Sequence, residues 1–102
     1  MFFSRIKKCD DDRVIKGGTE VIDDFSRIGI KVNGFACCFK GNTFIFAFNY
    51  GDVYSKNIQT AMAEQFARKI PKEKKYKKIV YYSSERFDTE CSKHCKDLWI
   101  RK

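Results

Sequence analysis

The sequence predicts a small α/β protein in which a mixed β-sheet is flanked by helices, and three observations predict it. Apolar residues recur at helical spacing in two segments, a tight turn joins two strongly apolar extended segments, and a further strand follows a helical crossover. The 102 residues suffice for one domain with a modest core, which ten Phe, five Tyr and one Trp can fill. We assign the core to residues 17–102 and treat residues 1–16 as an extended N-terminal arm.

The first helix is expected in the segment GGTEVIDDFSRIG, residues 17–29. Thr19 can cap its N-terminus, and the acidic residues of the early turns suit the helix dipole. Gly29 is well suited to end the helix, because glycine adopts the left-handed conformation without strain. The apolar positions at helical spacing are Val21, Ile22, Phe25 and Ile28.

A hairpin is expected next. The segment IKVNGFACCF (residues 30–39) is typical of an extended strand, and KGN (residues 40–42) is typical of a tight turn. The strand TFIFAFNY (residues 43–50) has apolar side chains on both faces, so we expect it at the centre of the sheet. One face carries Phe44, Phe46, Phe48 and Tyr50, and the other carries Ile45 and Ala47.

The second helix is expected to begin at a cap, Ser55 or Asn57, and to end near Ile70, where Pro71 stops it. Its apolar positions follow a four-residue step: Ile58, Met62, Phe66 and Ile70. The strand KKIVYYSS (residues 77–84) follows this helical crossover, so we expect it to run parallel to its neighbour.

A short last helix is predicted in FDTECSKHCKDLWI (residues 87–100), and LWI at its end is a candidate closing strand. The helix would present Phe87, Cys91, Cys95 and Leu98 on one face. The predicted order of elements is therefore α-β-β-(β)-α-β-α.

The charge of the chain favours polyanionic partners. The formal charge is +8 and the pI is near 9.3, which points to nucleic acid first and to an acidic protein second. No apolar run approaches the roughly 20 residues of a membrane span, and the N-terminus lacks the apolar stretch of a signal peptide. We therefore expect an intracellular protein, cytoplasmic or nuclear, and not a secreted one. Five cysteines, an odd number with two adjacent, argue against systematic disulfide pairing.

A lysine-rich segment follows the second helix and is the candidate nucleic-acid-binding site. It contains Lys69, Lys72, Lys74, Lys75, Lys77 and Lys78, six lysines in ten residues. Such lysines suit salt-sensitive phosphate contacts that do not depend on base sequence. Tyr76 among them could stack on a base or pack on the sheet. A solvated loop without a ligand is the alternative interpretation.

The motif CSKHC places Cys91, His94 and Cys95 within one helical turn. Zinc accepts these ligand types, but a tetrahedral site needs four of them and no second pair of this kind is visible. A Cys-His nucleophilic pair is conceivable, although no third orienting group marks it. Cysteines packed on the apolar face of the helix are the favoured interpretation, and we expect no metal or other cofactor.

The order of these elements resembles the Mrr-type branch of the restriction-endonuclease-like, or PD-(D/E)XK, family over roughly residues 17–101. Residues 17–32, GGTEVIDDFSRIGIKV, resemble the family's opening helix and the strand after it. Residues 34–51, GFACCFKGNTFIFAFNYG, resemble its catalytic hairpin. Residues 77–100 resemble its late strand, its last helix and the leucine-containing strand that follows.

The resemblance implies where catalytic residues would lie. Such hairpins carry an acid on the first strand, then an acid or glutamine and a lysine two residues apart on the second. The carboxylates hold Mg²⁺, and the lysine helps to orient or activate the attacking water. These positions fall at Ala36, Ala47 and Asn49, none of which supplies that chemistry, whereas Glu20 matches an acidic position of the family's first helix.

The resemblance and the charge together imply a catalytically inactive, restriction-endonuclease-like domain that binds nucleic acid, with duplex DNA as the first candidate. One alternative is an active metal-dependent nuclease with acids recruited from elsewhere, such as Glu20, Asp23 or Asp52. Another is a small viral or defence-system factor that binds a protein. A homodimer is compatible with every one of these interpretations.

Overall fold

The computed structural model of the protein describes residues 6–9, 11–72, 76–94 and 98–101. These residues form an α/β fold with a mixed sheet between helices, which confirms the predicted class. The strands are β1 (Ile6–Lys8), β2 (Val32–Lys40), β3 (Thr43–Tyr50), β4 (Lys78–Tyr81) and β5 (Trp99–Arg101). The helices are α1 (Asp12–Ser26), α2 (Lys56–Lys69) and α3 (Ser84–Glu90), and a 3-10 turn covers Ser92–His94.

The sheet is built around the β2–β3 hairpin, in which Lys40 pairs with Thr43 across a two-residue turn. Strand β4 is parallel to β3, so β3 lies inside the sheet with a neighbour on each side, as predicted. Strands β1 and β5 are both antiparallel to β2 and share its other edge. They occupy different halves of that edge, β1 opposite residues 38–40 and β5 opposite residues 34–36.

Helix α1 begins at Asp12, so the predicted start at Thr19 is wrong. The side chain of Asp11 accepts a hydrogen bond from the backbone N–H of Arg13 and caps the helix earlier. The helix then includes Gly17 and Gly18. Because glycine has no side chain, the helix can approach α2 and β2 closely at these two positions. A Cβ atom on Gly18 would lie 2.3 Å from the ring of Phe35 on β2.

The other end of α1 matches the prediction in part. Gly29 has φ +87° and adopts the expected left-handed conformation. Ile28, however, is 71% exposed, because the helix ends at Ser26 and the turn points this side chain outward. Of the four apolar positions at helical spacing, Val21, Ile22 and Phe25 are therefore buried and Ile28 is not.

Helix α2 forms where it was predicted. Ser55 is the N-cap, and its hydroxyl accepts a hydrogen bond from the backbone N–H of Ile58. Met62, Phe66 and Ile70 are buried, and the helix ends just before Pro71. Because Phe66 contacts aromatic rings of both β2 and β3, this helix covers the middle of the sheet.

Helix α3 begins and ends earlier than predicted. Ser83 caps it, and it stops at Glu90, after which the chain forms a 3-10 turn. Phe87 and Cys91 are buried as expected, but Leu98 lies just before β5 and not on the helix. Cys95 is outside the described residues. The predicted closing strand is confirmed as β5, which pairs with β2.

The sheet separates two apolar clusters. Helices α1 and α2 pack on one side with Phe35, Phe46 and Phe48, and we call this the α1/α2 face. Helix α3 packs on the other side, the α3 face, with a smaller cluster. Its members are Ala36, Cys38, Ile45, Ala47, Phe87, Cys91 and Leu98. In the part of the chain that the structure describes, no helix combines the length and apolarity needed to cross a bilayer.

Candidate functional site

The hairpin positions singled out by the resemblance lie on the α3 face. Ala36 and Ala47 are directly opposite one another in the β2–β3 register, and both are completely buried. Asn49 is two residues beyond Ala47 on the same strand, so it lies on the same face, where it is half-buried. The structure therefore brings these three residues to one side of the sheet.

Glu20 does not join them. It belongs to α1, which packs on the α1/α2 face, so the sheet lies between Glu20 and the two alanines. Its carboxylate accepts a hydrogen bond from the Nζ of Lys69 on α2, at 3.0 Å. This hydrogen bond and the positive charge of Lys69 lower the pKa of Glu20. From the family resemblance we expect Glu20, on the first helix, to lie beside the hairpin positions. This expectation is wrong, because Glu20 instead links two helices.

The surroundings of the alanines are those of a core and not of a reaction site. Phe87 of α3, Cys91 directly after this helix and Leu98 before β5 pack against them, each no more than 2% exposed. An ionised carboxylate at either position would be buried without a partner, which is strongly unfavourable. The small side chains allow α3 to lie close to the sheet.

The structure divides the predicted lysine site into parts. Lys69 is engaged with Glu20, whereas Lys72, Lys77 and Lys78 are exposed. Lys74 and Lys75 lie outside the described residues. The backbone N–H of Lys77 donates to the carbonyl of Asn42 at 2.8 Å, which anchors this end of β4 beside the hairpin turn.

Lys78 lines a groove together with two other cationic residues, Lys40 and Arg86, which the sequence did not suggest as its neighbours. This groove, on the α3 face, has a volume of about 470 Å³, and we call it the basic groove. Its lining residues are Lys40, Thr43, Ile45, Lys78, Val80, Tyr82 and Arg86. Lys40 pairs with Thr43 and Thr43 pairs with Lys78, so the two lysines stand in one row across three strands. No local motif connects Lys40 with Arg86, because only the strand pairing brings them together.

The third cation of the basic groove is held in a defined orientation. The Nε of Arg86 donates to Glu90 at 3.1 Å, and the guanidinium carbon lies 4.1 Å from the ring centre of Tyr82. The hydrogen bond from Arg86 lowers the pKa of Glu90, and the same bond raises the pKa of Arg86. Glu90 also lies near Lys40, whose positive charge further lowers the pKa of this carboxyl. The lining residues of the basic groove include three cations, which makes the groove positively charged.

An apolar groove lies on the opposite side of β4, between this strand and α2. Its volume is about 280 Å³. Its lining residues are Phe46, Thr60, Ala63, Glu64, Ala67, Ile79 and Tyr81. Ile79 and Tyr81 are half-buried there, so α2 covers β4 incompletely.

A third, polar cleft of about 310 Å³ lies at the carboxyl ends of β3 and β4. The hydroxyls of Tyr50 and Tyr81 meet there at 3.0 Å, and burial raises the pKa of both phenols. Asp52 lines the cleft together with Asn49 and Glu85, but its carboxylate accepts a hydrogen bond from the backbone N–H of Val53. Among the described residues, no group of three or more His, Cys, Asp or Glu side chains could hold a metal ion.

The cysteines of the described segments are buried thiols. Cys37 faces the α1/α2 side and Cys38 the α3 side, as alternation in a strand requires. The hydrogen bond with Cys9 and burial raise the pKa of Cys37. Burial likewise raises the pKa of Cys91. Thiols of this kind behave as small apolar side chains, and the second cysteine of the CSKHC motif lies outside the described residues.

Comparisons of the chain with protein-family models, with curated protein sequences and with solved structures gave no match.

Proposed function

We propose that this protein is a non-catalytic nucleic-acid-binding module that contacts phosphate groups through the basic groove and the exposed lysines beside it. The observation that carries the proposal is the convergence of Lys40, Lys78 and Arg86 on one groove from three separate elements. Exposed cations on a fixed scaffold make sequence-independent phosphate contacts, and a net charge of +8 attracts a polyanion over a longer range.

Lys72 and Lys77 are also exposed, and Lys77 directly precedes β4, so both add to the positive charge of the surface. Duplex DNA is the first candidate ligand, because its regularly spaced phosphates suit several cations held on a rigid surface. Buried thiols at Cys9, Cys37 and Cys91 are in keeping with a reducing, intracellular environment.

The burial of Ala36 and Ala47 under α3 supports the non-catalytic part of the proposal. Metal-dependent phosphodiester hydrolysis needs carboxylates that both a metal ion and the substrate can reach. This part of the hairpin has no carboxylate, and it is buried. A restriction-endonuclease-like ancestry remains part of the proposal. The antiparallel hairpin followed by a parallel strand supports it, and the position of Glu20 on the other face departs from it.

The test is a salt titration of DNA binding. Fluorescence anisotropy with a labelled duplex would compare the natural protein with the triple variant Lys40→Gln, Lys78→Gln, Arg86→Gln. We expect weaker binding and a slope of log affinity against log salt that is shallower by about 0.9 for each phosphate that the variant no longer neutralises. Lys56→Gln, on an exposed residue at the start of α2, is the matched control and should leave the slope unchanged. An unaltered slope in the triple variant, or no binding by the natural protein at low salt, would refute the proposal.

A nuclease with relocated acids is the second candidate. The observation in its favour is that Asp52 and Glu85 line the same polar cleft beside Asn49. Two carboxylates could bind a divalent cation only with the help of water or substrate oxygens. Cleavage of a supercoiled plasmid with Mg²⁺ or Mn²⁺, abolished in Asp52→Asn, would establish this activity.

A further inference from the structure

Strand β4 is an incompletely covered edge of the sheet. Among the described strands it pairs with β3 alone, and three of its four residues are apolar but only half-buried: Ile79, Val80 and Tyr81. Helix α2 covers β2 and β3 on one side, and α3 packs against the β2–β3 hairpin on the other. An apolar edge strand of this kind is a ready template for pairing with another strand.

The backbone of β4 presents hydrogen-bonding groups outward at defined residues. The N–H groups of Lys78 and Tyr82 point inward, since they donate to carbonyls of Asn42 and Phe46 at 3.4 and 2.9 Å. In a parallel ladder, successive residues turn their N–H and C=O groups to opposite edges. Ile79 and Tyr81 therefore direct these groups away from β3, toward the position that an added strand would occupy.

The two faces beside this edge differ in chemistry. On the α1/α2 face, Ile79 and Tyr81 line the apolar groove with Ala63 and Ala67. On the α3 face, Lys78 and Val80 line the positively charged basic groove. Side chains of an added strand would alternate between these faces, because successive residues of a strand point to opposite sides.

We propose that the outer edge of β4 binds an extended polypeptide segment of a partner protein, in which acidic side chains alternate with aliphatic ones. The acidic side chains would face Lys78, the cation of the basic groove that lies on the edge strand itself, and the aliphatic ones would fill the apolar groove. Strand addition supplies affinity through main-chain hydrogen bonds and specificity through alternate side chains. Charge argues against a second copy of this chain as the occupant, since Lys78 and Arg86 would then meet their own counterparts.

Binding of such a segment does not depend on the proposed function, but one consequence does. Its acidic side chains would engage Lys78, one of the cations that we assign to phosphate, so the segment and nucleic acid would compete for this residue. That competition rests on the proposed function and would make the partner a competitor of nucleic acid at the same groove.

The probe is a synthetic peptide in which Asp alternates with Val and Leu. Binding would be measured by anisotropy of the labelled peptide, and the bound edge would be located by amide hydrogen exchange. We expect exchange at Ile79 and Tyr81 to slow by about tenfold at a peptide concentration of about ten times Kd. A peptide of the same composition with the Asp residues in one block, and one with Lys in place of Asp, should bind at least about tenfold more weakly.

Two variants distinguish the contribution of main-chain hydrogen bonds to peptide binding from the contribution of charge. Ile79→Pro removes an outward N–H and should abolish peptide binding, and proline is tolerated where a strand N–H faces away from the sheet. Lys78→Glu keeps that N–H and should weaken binding by at least about tenfold, whereas the matched control Lys56→Glu should not. Circular dichroism checks that each variant is folded, and if Ile79→Pro is unfolded, Lys78→Glu decides the question.

The outcomes distinguish the two proposals. Peptide binding that survives Lys78→Glu, or that leaves the amides of Ile79 and Tyr81 unprotected, would overturn the proposal of strand addition. If a higher protein concentration protects these amides in the absence of peptide, a second copy of the chain occupies the edge. That result would also overturn the proposal of a partner segment. Peptide binding without DNA binding would refute the proposed function only, and the reverse would refute strand addition only.

Discussion

Ala36 of β2 and Ala47 of β3 lie directly opposite one another and are completely buried beneath α3. Their methyl groups face the cluster that contains Phe87, and the ring of Phe87 in turn packs edge-to-face on Trp99. These two small residues therefore decide how closely α3 approaches the sheet.

A carboxylate at this place should destabilise the protein instead of creating a metal site. We expect Ala47→Glu to lower the free energy of unfolding by at least about 3 kcal/mol, because the charge would be buried without a partner. Asn49→Asp is the matched control on the same strand and face, and it should have a small effect because Asn49 is half-exposed. Urea unfolding followed by circular dichroism measures both. Full stability of Ala47→Glu would mean that α3 does not pack on the hairpin.

The approach of α1 to the sheet depends on Gly18. Alanine generally favours helices over glycine, yet its Cβ at this position would lie 2.3–2.6 Å from three atoms of the Phe35 ring. We expect Gly18→Ala to destabilise the protein by about 1–3 kcal/mol through overpacking. Gly17→Ala meets the Cβ of Lys69 at 3.2 Å and should be tolerated better. Equal effects of the two changes in thermal or urea unfolding would contradict the close contact between α1 and β2.

The lysine-rich segment should contribute to nucleic-acid affinity without contributing to stability. The quadruple change of Lys72, Lys74, Lys75 and Lys77 to Gln should weaken binding to all duplex sequences alike and flatten its salt dependence. Thermal unfolding should be almost unchanged, because the described members, Lys72 and Lys77, are exposed. If binding keeps its salt slope, the segment is a solvated loop and the basic groove acts without it.

The hydroxyl pair of Tyr50 and Tyr81 should make stability fall at alkaline pH. Both phenols have a raised pKa in the folded protein, so the unfolded chain loses these protons first, near the ordinary value of about 10. The stabilisation is complete below that pH and is lost as the pH rises above it. The double variant Tyr50→Phe, Tyr81→Phe should show a smaller loss of unfolding free energy between pH 9 and about pH 11.5. A loss as large as in the natural protein would assign the alkaline transition to other groups.

No cleavage of DNA or RNA is expected with Mg²⁺ or Mn²⁺, because the hairpin positions carry no carboxylate and lie under α3. Cleavage is measured by incubating plasmid DNA and a structured RNA with freshly purified protein. The variants Asp52→Ala and Glu20→Ala are tested in parallel. Reproducible cleavage that disappears in a folded Asp52→Ala variant would show that the protein is an enzyme and would contradict the proposal of a non-catalytic binding module. Cleavage that persists in both variants points to a contaminating nuclease.

The boundaries of α1 show where sequence patterns mislead. Two adjacent glycines and a threonine suggested a helix start at Thr19, yet Asp11 caps a helix that includes both glycines. Glycine weakens a helix in isolation, but here contact with Phe35 offsets that loss, and contact across the fold is not visible in a local pattern. Residues 6–8 likewise form a strand only because β2 offers an edge opposite residues 38–40.

Most of the architecture could nevertheless be predicted from local sequence patterns. The alternation in TFIFAFNY predicted a strand with apolar side chains on both faces, and the helical crossover predicted a parallel β4. A cap at Ser55 or Asn57 and the stop at Pro71 predicted the ends of α2, and the structure has Ser55 as the cap. Each of these signals depends on neighbours within a few residues, where the period of the backbone fixes the direction of the side chains. The α/β class and the central position of β3 followed from them.

The surface that we propose for binding depends on tertiary structure. The net charge led us to expect a polyanionic partner, and the run of lysines suggested a candidate binding segment. Only the pairing of β2 with β3 and of β3 with β4 placed Lys40 and Lys78 in one row, and only the packing of α3 added Arg86. The same packing put Glu20 on the opposite face from Ala36. The physical reason is that side-chain direction is local, whereas proximity between distant segments depends on strand register and on which face each helix covers.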